Sequence, residues 1–189
     1  MCKLHELDTM SSYELYVYIA RNVMAESWFI ILIEVSLIIH AMIAGLFLTF
    51  SDFLMRSLGK AVPVSGIEVM QHINREIFRS VTILLLWGMV CVSLAISLYA
   101  FINLAGTSMY LLMLGGLIYV IGVLCISNRF NIPMNDKLEG MQCASNKAAT
   151  YWQETYLPRW TFWNYFRAFA SCTSAVCYLT AIHGLGSLS

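Results

Sequence analysis

The chain has 189 residues, 59% of them hydrophobic and 12% charged, with a mean hydropathy of +0.71. Soluble domains carry about 45–50% apolar and about 25% charged residues, so this composition argues against a water-soluble globule. Eleven basic and eleven acidic side chains cancel, which leaves no net field to recruit nucleic acid. An all-α integral membrane protein is predicted, a four-helix bundle forming one domain.

Residues 1–27 read as a polar or interfacial tail with Glu6, Asp8, Glu14 and Glu26 but only Lys3 and Arg21 as basic residues. The stretch YELYVYI, 13–19, suits an aromatic-rich interfacial helix. The tail has neither the apolar core nor the small-residue cleavage site of a signal peptide, so the first span is expected to be retained. That span is predicted over 28–50, long enough to cross about 30 Å of hydrocarbon. It contains Glu34 and, near its middle, His40, which shares a face with Ser36, Ala44, Phe47 and Ser51.

After Pro63, Ser65 precedes Glu68 by three residues, a capping-box spacing that predicts a helix start. The helical pattern runs on into the apolar stretch 81–101. Unbroken, this second helix would extend for roughly 54 Å and project well beyond the bilayer. On the extension Gln71, Asn74 and Phe78 share one face, and Arg75 and Arg79 another. The third span is predicted over 109–126, with Gly115, Gly116 and Gly122 offered for close helix packing. A polar connection over 127–158 comes next, in which Pro133 should interrupt the helix. The fourth span is predicted over 160–183, before a short end at 184–189.

Within the fourth span Trp160, Asn164, Arg167, Ser171, Ser174 and Tyr178 recur at alternating steps of four and three. That spacing draws one polar stripe along a helix. An unpaired polar group in hydrocarbon costs several kcal/mol, so the stripe must face protein or a wet cavity. Arg167 then either reaches for the headgroups and helix-end carbonyls, or donates to an anionic or enolate-like ligand in a low-dielectric pocket. Asn164 serves either as an interhelical clasp or as part of that pocket.

Of the six cysteines, Cys91, Cys125, Cys172 and Cys177 fall in apolar spans and Cys2 and Cys143 in polar regions. They are predicted to be small buried packing residues rather than disulfides or metal ligands. His5, His40, His72 and His183 lie at four different depths, so no shared metal or haem site is expected and no cofactor is assigned. His72 and Glu76, one turn apart, form a solvated couple. Basic residues gather in the first and third connections, at Arg56, Lys60, Arg75, Arg79, Arg129, Lys137, Lys147 and Arg159. The positive-inside rule then puts both connections in the cytoplasm and both termini outside it, in the cytoplasmic membrane if the source is bacterial.

Three segments together carry a family resemblance: AGLFLTFSDFLM (44–55) with GIEVMQHIN (66–74) after it, then N-x-P-x-N-x-x-L over 131–138, and W-x-x-W-N-x-x-R over 160–167. Over roughly residues 40–175 the chain resembles the anthrone-oxygenase-like family of small four-helix membrane proteins. The resemblance implies a cofactor-independent oxygenase acting on a hydrophobic phenolic or anthrone-like substrate, as some fungal members oxidise anthrones to anthraquinones with dioxygen. It points to Ser51, Gln71, Asn74, Asn131, Asn135, Trp160, Asn164 and Arg167. In the mechanism this suggests, Arg167, Asn164, Gln71 and Asn74 stabilise an enolate oxygen. Trp160 and Trp163 flank the ring, and Asn131, Asn135 and Ser51 complete the substrate pocket, to which His40 is added from its place mid-span and not by the resemblance. Glu34, His40 and His72 lie outside the family pattern. The alternative is a non-enzymatic subunit, scaffold or lipid-binding protein, homo-oligomeric or bound to a membrane partner, whose partner face is marked by the three glycines. A transporter is the third reading.

Overall fold

A computed structural model describes residues 12–186, with side chains described over 27–185. The tail before Ser12, with Cys2 and His5 in it, lies outside the described residues. The described residues are helical apart from short turns at 61–62, 78–80, 104–106 and 140–145: α1 is Ser12–Thr49, α2 Met55–Lys60, α3 Pro63–Ile77, α4 Val81–Asn103, α5 Thr107–Tyr119, α6 Ile132–Glu139, α7 Asn146–Tyr151 and α8 Leu157–Gly186. Several of these join end to end through π-helical turns. Phe50–Leu54 links α1 to α2, Val120–Cys125 and Ser127–Asn131 link α5 to α6, and Trp152–Tyr156 links α7 to α8. Four helices are long and apolar enough to cross a membrane: Ser27–Lys60, Val81–Asn103, Thr107–Glu139 and Asn146–Leu185.

The protein is therefore an all-α, multi-pass integral membrane protein, with several boundaries unlike those expected. Pro133 does not stop the third helix, and the fourth begins well before Trp160. Proline removes one backbone donor and collides with the carbonyl of residue i−4 in an ordinary α-helix. In both places a π-helical turn comes just before the proline, Ser127–Asn131 before Pro133 and Trp152–Tyr156 before Pro158. Its wider i to i+5 spacing gives the ring room. The second helix, by contrast, is broken. Phe78 caps α3, and Ser80, in extended backbone geometry, caps the start of α4. Ser80 Oγ donates to Ile77 O at 2.7 Å and closes this elbow. The capping box is not formed either. Pro63 occupies the first turn after Val62, where its missing N–H costs nothing, so Ser65 already lies inside α3.

The polar stripe of α8 faces inward along its length. Trp160, Asn164, Arg167, Ser171, Ser174 and Tyr178 are all buried. The large apolar residues instead crowd the outside, Leu84, Leu98, Phe101, Tyr110 and Phe169 among them, as expected where hydrocarbon is the solvent. The same reasoning corrects the cysteines. Cys91, Cys125 and Cys172 are exposed on the outer surface, Cys143 is half-buried and, among the described cysteines, only Cys177 is buried, because a thiol has no need to leave lipid. The three glycines are spent inside the chain's own bundle and do not mark an outer partner face. A methyl group on Gly115 would come within 2.8 Å of the Tyr178 ring, and ones on Gly116 and Gly122 would collide with Ser97 and Ala170.

At one end of the bundle α2, α3, α6 and α7 pack against the start of the fourth helix as a cap. Its core joins Met55, Ile67, Met70, Leu138, Trp152, Tyr156 and Trp160. Arg75 pairs with Glu139 at 2.6 Å across the outside of this cap.

Candidate functional site

Below the cap lies a cavity of about 120 Å³, several times what one water requires (about 10–15 Å³). Its walls are apolar, from Leu46, Phe47 and Phe50 on one side to Ile83, Leu86 and Trp87 on the other. Most of its polar groups gather on the inner wall that forms its floor, Ser127, Asn164 and Arg167, with Asn74, Asn135 and Trp160 at its cap end, while Thr82 lies on the opposite flank.

The floor groups are held by identifiable partners. Asn164 is fully buried, and its Nδ2 donates to Phe47 O at 2.6 Å and to Ser51 Oγ at 2.7 Å. Both acceptors flank or lie in the π-helical turn that ends α1. The Asn164 Oδ1 that remains accepts from Arg167 Nη2. Arg167 Nη1 donates to Ser127 Oγ at 3.0 Å. Its guanidinium carbon lies 4.3 Å from the Phe47 ring centre and 5.6 Å from that of Trp160, contacts that suit a desolvated cation. Asn135 Oδ1 accepts from both Tyr156 OH and Trp160 Nε1, each at 2.8 Å, and so fixes the indole that walls the floor.

Arg167 has no acidic partner. Among the described residues the ion pairs are Arg56–Asp52, Arg75–Glu139 and Arg79–Glu76, all exposed. Arg167 Nε is buried without a hydrogen-bond partner, whereas Asn74 engages the Tyr156 hydroxyl. A buried cation normally pairs with an anion or is neutralised. Here the guanidinium is solvated only by an amide, a hydroxyl and two aromatic faces. No carboxylate, imidazole or amine lines the cavity, and Arg167 is the charged group among its lining residues.

The structure separates the other predicted residues from this cavity. Gln71 Nε2 donates to Leu138 O at 2.8 Å and Met141 O at 3.0 Å, while its Oε1 accepts from Cys143 Sγ at 3.1 Å. It is a clasp that holds the chain after α6 against α3. Asn131 Nδ2 donates to Trp160 O at 3.2 Å and ties the third helix to the fourth. Trp163 stacks on Phe130 with ring centres 3.7 Å apart, away from the cavity. His40 is fully buried deeper in the bundle, with Nε2 3.3 Å from Ser93 Oγ. Tyr119 and Tyr178 meet its ring edge-on, at 4.4 and 5.2 Å between centres. Ser51 touches the site only through Asn164. Glu34 is exposed on the outer face of α1. His72 is engaged by Arg75 and not by Glu76, with 3.2 Å between His72 Nδ1 and Arg75 Nη2. No cluster of three or more His, Cys, Asp or Glu among the described residues could hold a metal.

Ser127 and Phe47, both in contact with Arg167, are site residues that the sequence does not single out. Ser127, Asn131 and Asn135 recur at steps of four, a signal hidden by the expectation that Pro133 ends the helix.

Residues 75–177 match the family model described as anthrone oxygenase. The chain belongs to the anthrone oxygenase family. The matched region carries Ser127, Asn131, Asn135, Trp160, Asn164 and Arg167. It starts after Gln71 and Asn74, so the resemblance read from residues 44–55 and 66–74 lies outside it. No curated protein and no solved structure matches this anthrone oxygenase family member.

Proposed function

We propose that the protein is an oxygenase that binds a flat, hydrophobic phenol or anthrone as its oxyanion and lets that anion react with dioxygen. The observation that supports this most is Arg167, a buried guanidinium without a carboxylate on the floor of an otherwise apolar cavity. A fixed positive charge in a low-dielectric site favours the ionised form of a weak acid. It stabilises negative charge far more than it would in water. With no base on the cavity wall, the substrate proton leaves to water, because the guanidinium makes the bound substrate a stronger acid. The Arg167 N–H groups would receive the oxygen, while the apolar walls at Phe50, Leu86 and Trp87 flank the rings. For an anthrone the overall change consumes one dioxygen. One oxygen atom becomes the new carbonyl, and the other leaves as water with the two hydrogens of the reacting carbon. The test is oxygen uptake by the purified protein in lipid nanodiscs supplied with anthrone. One dioxygen consumed per anthraquinone formed, well above the rate with empty nanodiscs, is expected. Uptake equal to that of empty nanodiscs rejects the reading.

The basic residues of α2, α3, α6 and α7 support a cytoplasmic cap, with the Asn103–Thr107 turn on the opposite side. In a chain whose Cys2 and Cys143 are replaced by Ser, an impermeant maleimide added to intact cells should label Thr107→Cys and spare Asn146→Cys. The reverse pattern inverts the topology.

A further inference from the structure

The geometry points to lateral access: the ligand of the Arg167 site is a planar, lipophilic weak acid that enters from the bilayer leaflet beside the cap, through a gap between α1 and the α3–α4 elbow. This rests on the anion-binding reading above and adds the route and the phase from which the ligand comes.

The cavity is closed above and below by packed side chains. Towards the cap, Met70 and Trp160 line it and also belong to the cap core with Trp152, Tyr156, Ile67 and Leu138, each at most 5% exposed. Gln71 ties that core to the chain after α6. Towards the bundle centre, Phe47, Val90 and Val123 line it and belong to a second packed cluster with Ile43, Met89 and Tyr119. Tyr119 OH donates to Leu86 O at 3.2 Å and braces that wall.

The flank is different. There the lining includes Phe78, 64% exposed, and Trp87, 40% exposed, with the half-buried Ile77, Thr82 and Ile83 between them. Because α4 starts at Val81, Thr82 to Trp87 span its first two turns, roughly 10 Å of rise. Their neighbours Val81 and Leu84 are about 70% exposed, as residues facing lipid are. The mouth therefore opens into the outer hydrocarbon layer. The broken second helix creates it. A straight continuation from α3 into α4 would have no elbow, and Ser80 holds the turn through its bond to Ile77 O.

Mouth and floor together define the ligand. Its body must be apolar enough to dissolve in the leaflet and slide past Phe78, Ile83 and Trp87. Its polar end must be an acceptor that satisfies Arg167 Nε, which is unpartnered. A neutral weak acid meets both demands, crossing the mouth protonated and ionising at the guanidinium.

The test is 2-naphthol binding measured by stopped-flow fluorescence with the full chain in nanodiscs. Ile83→Trp narrows the mouth without touching the floor. Association and dissociation should slow together by about tenfold; because Ile83 also lines the cavity, the common slowing of both rates, and not an unchanged Kd, is the signature of the gate. Met141→Trp, on the cap side, should change neither rate. Ile83→Cys, folded first and then blocked by a bulky lipid-soluble disulfide reagent, should show the same slowing and recover on reduction; the parent chain treated alike controls for its own cysteines. Saturable binding with unchanged rates in the Ile83 variants, or slowing by Met141→Trp instead, overturns the lateral route and leaves the anion site standing. Absence of saturable binding that Arg167→Gln removes overturns both.

Discussion

Replacing Arg167 by Met is expected to lower anthrone-dependent oxygen uptake by about 10²–10³-fold, the usual cost of losing one preorganised oxyanion donor. The thermal midpoint should stay within about 4 °C of the parent, equivalent to about 1 kcal/mol for a chain of this size. The two halves of this expectation come from the same geometry. A buried ion pair is costly to break because the surviving charge is stranded, by about 3–5 kcal/mol. Arg167 has no opposite charge to strand. Its removal leaves Ser127 Oγ, which can turn to a carbonyl of its own helix. It also strands Asn164 Oδ1, which accepts from Arg167 now, at a cost of about 1–3 kcal/mol. Relief of the buried cation's desolvation offsets that cost, while Asn164 Nδ2 keeps its bonds to Phe47 O and Ser51 Oγ. The methionine covers the faces of Phe47 and Trp160 that the guanidinium covers now. Loss of folding alongside loss of turnover would make Arg167 a structural clasp, and full turnover in a folded variant would remove it from the chemistry. Oxygen uptake and a thermal melt on one preparation separate these outcomes.

A separation of stability from activity at Arg167 has a counterpart at Gln71 and Asn131, whose side-chain amide nitrogens donate to backbone carbonyls. The same amide chemistry serves two purposes in this bundle, and sequence spacing alone does not tell them apart. Asn164 and Gln71 are both buried amides on helix faces. Only the position of α6 relative to α3 decides that Gln71 meets Leu138 O and Met141 O rather than a ligand. That position depends on long-range packing.

Sequence periodicity does convey the inward face of α8. The spacing from Trp160 to Tyr178 is strict, the penalty for turning it to lipid is large, and all six residues are buried. Periodicity fails where the hydrogen-bond register changes. Each π-helical turn inserts one residue and rotates the remainder of the helix by about 100°, and four such turns occur among the described residues. They carry the helices through the neighbourhood of Pro133 and Pro158, where an α-helical reading stops. They also set the faces of Ser51, Ser127 and Asn131, each of which lies within one. Ser127 escapes an α-helical reading because Pro133 is expected to end the helix that carries Ser127, Asn131 and Asn135 at steps of four. The elbow at Phe78–Ser80 escapes it for the opposite reason. Every residue from Ile67 to Phe101 tolerates a helix, and the break is set by the different jobs of an amphipathic α3 over the cap and an apolar α4 in the membrane.

Ser127 also gives the sharpest control over the electrostatics. Ser127→Asp places a carboxylate where a hydroxyl now accepts from Arg167 Nη1 at 3.0 Å, and so supplies the missing counter-charge. Oxygen uptake is expected to fall by about 10²-fold or more, because the guanidinium no longer has an unanswered charge to give a substrate oxyanion. The thermal midpoint should not fall, since a buried cation gains a hydrogen-bonded partner. Ser127→Asn has nearly the same shape but no charge, and it should keep turnover within about tenfold of the parent, the effect expected of a modest packing change and one altered hydrogen bond. Equal loss in the Asp and Asn variants would assign the effect to shape and argue against an anion site. Loss confined to Asp, taken with loss in Arg167→Met, would mean that deleting the positive charge and neutralising it in place have the same consequence. Those substitutions change opposite partners, on different helices and in opposite chemical directions. What they share is the net charge offered at the cavity floor, and that charge is the quantity the proposed chemistry requires.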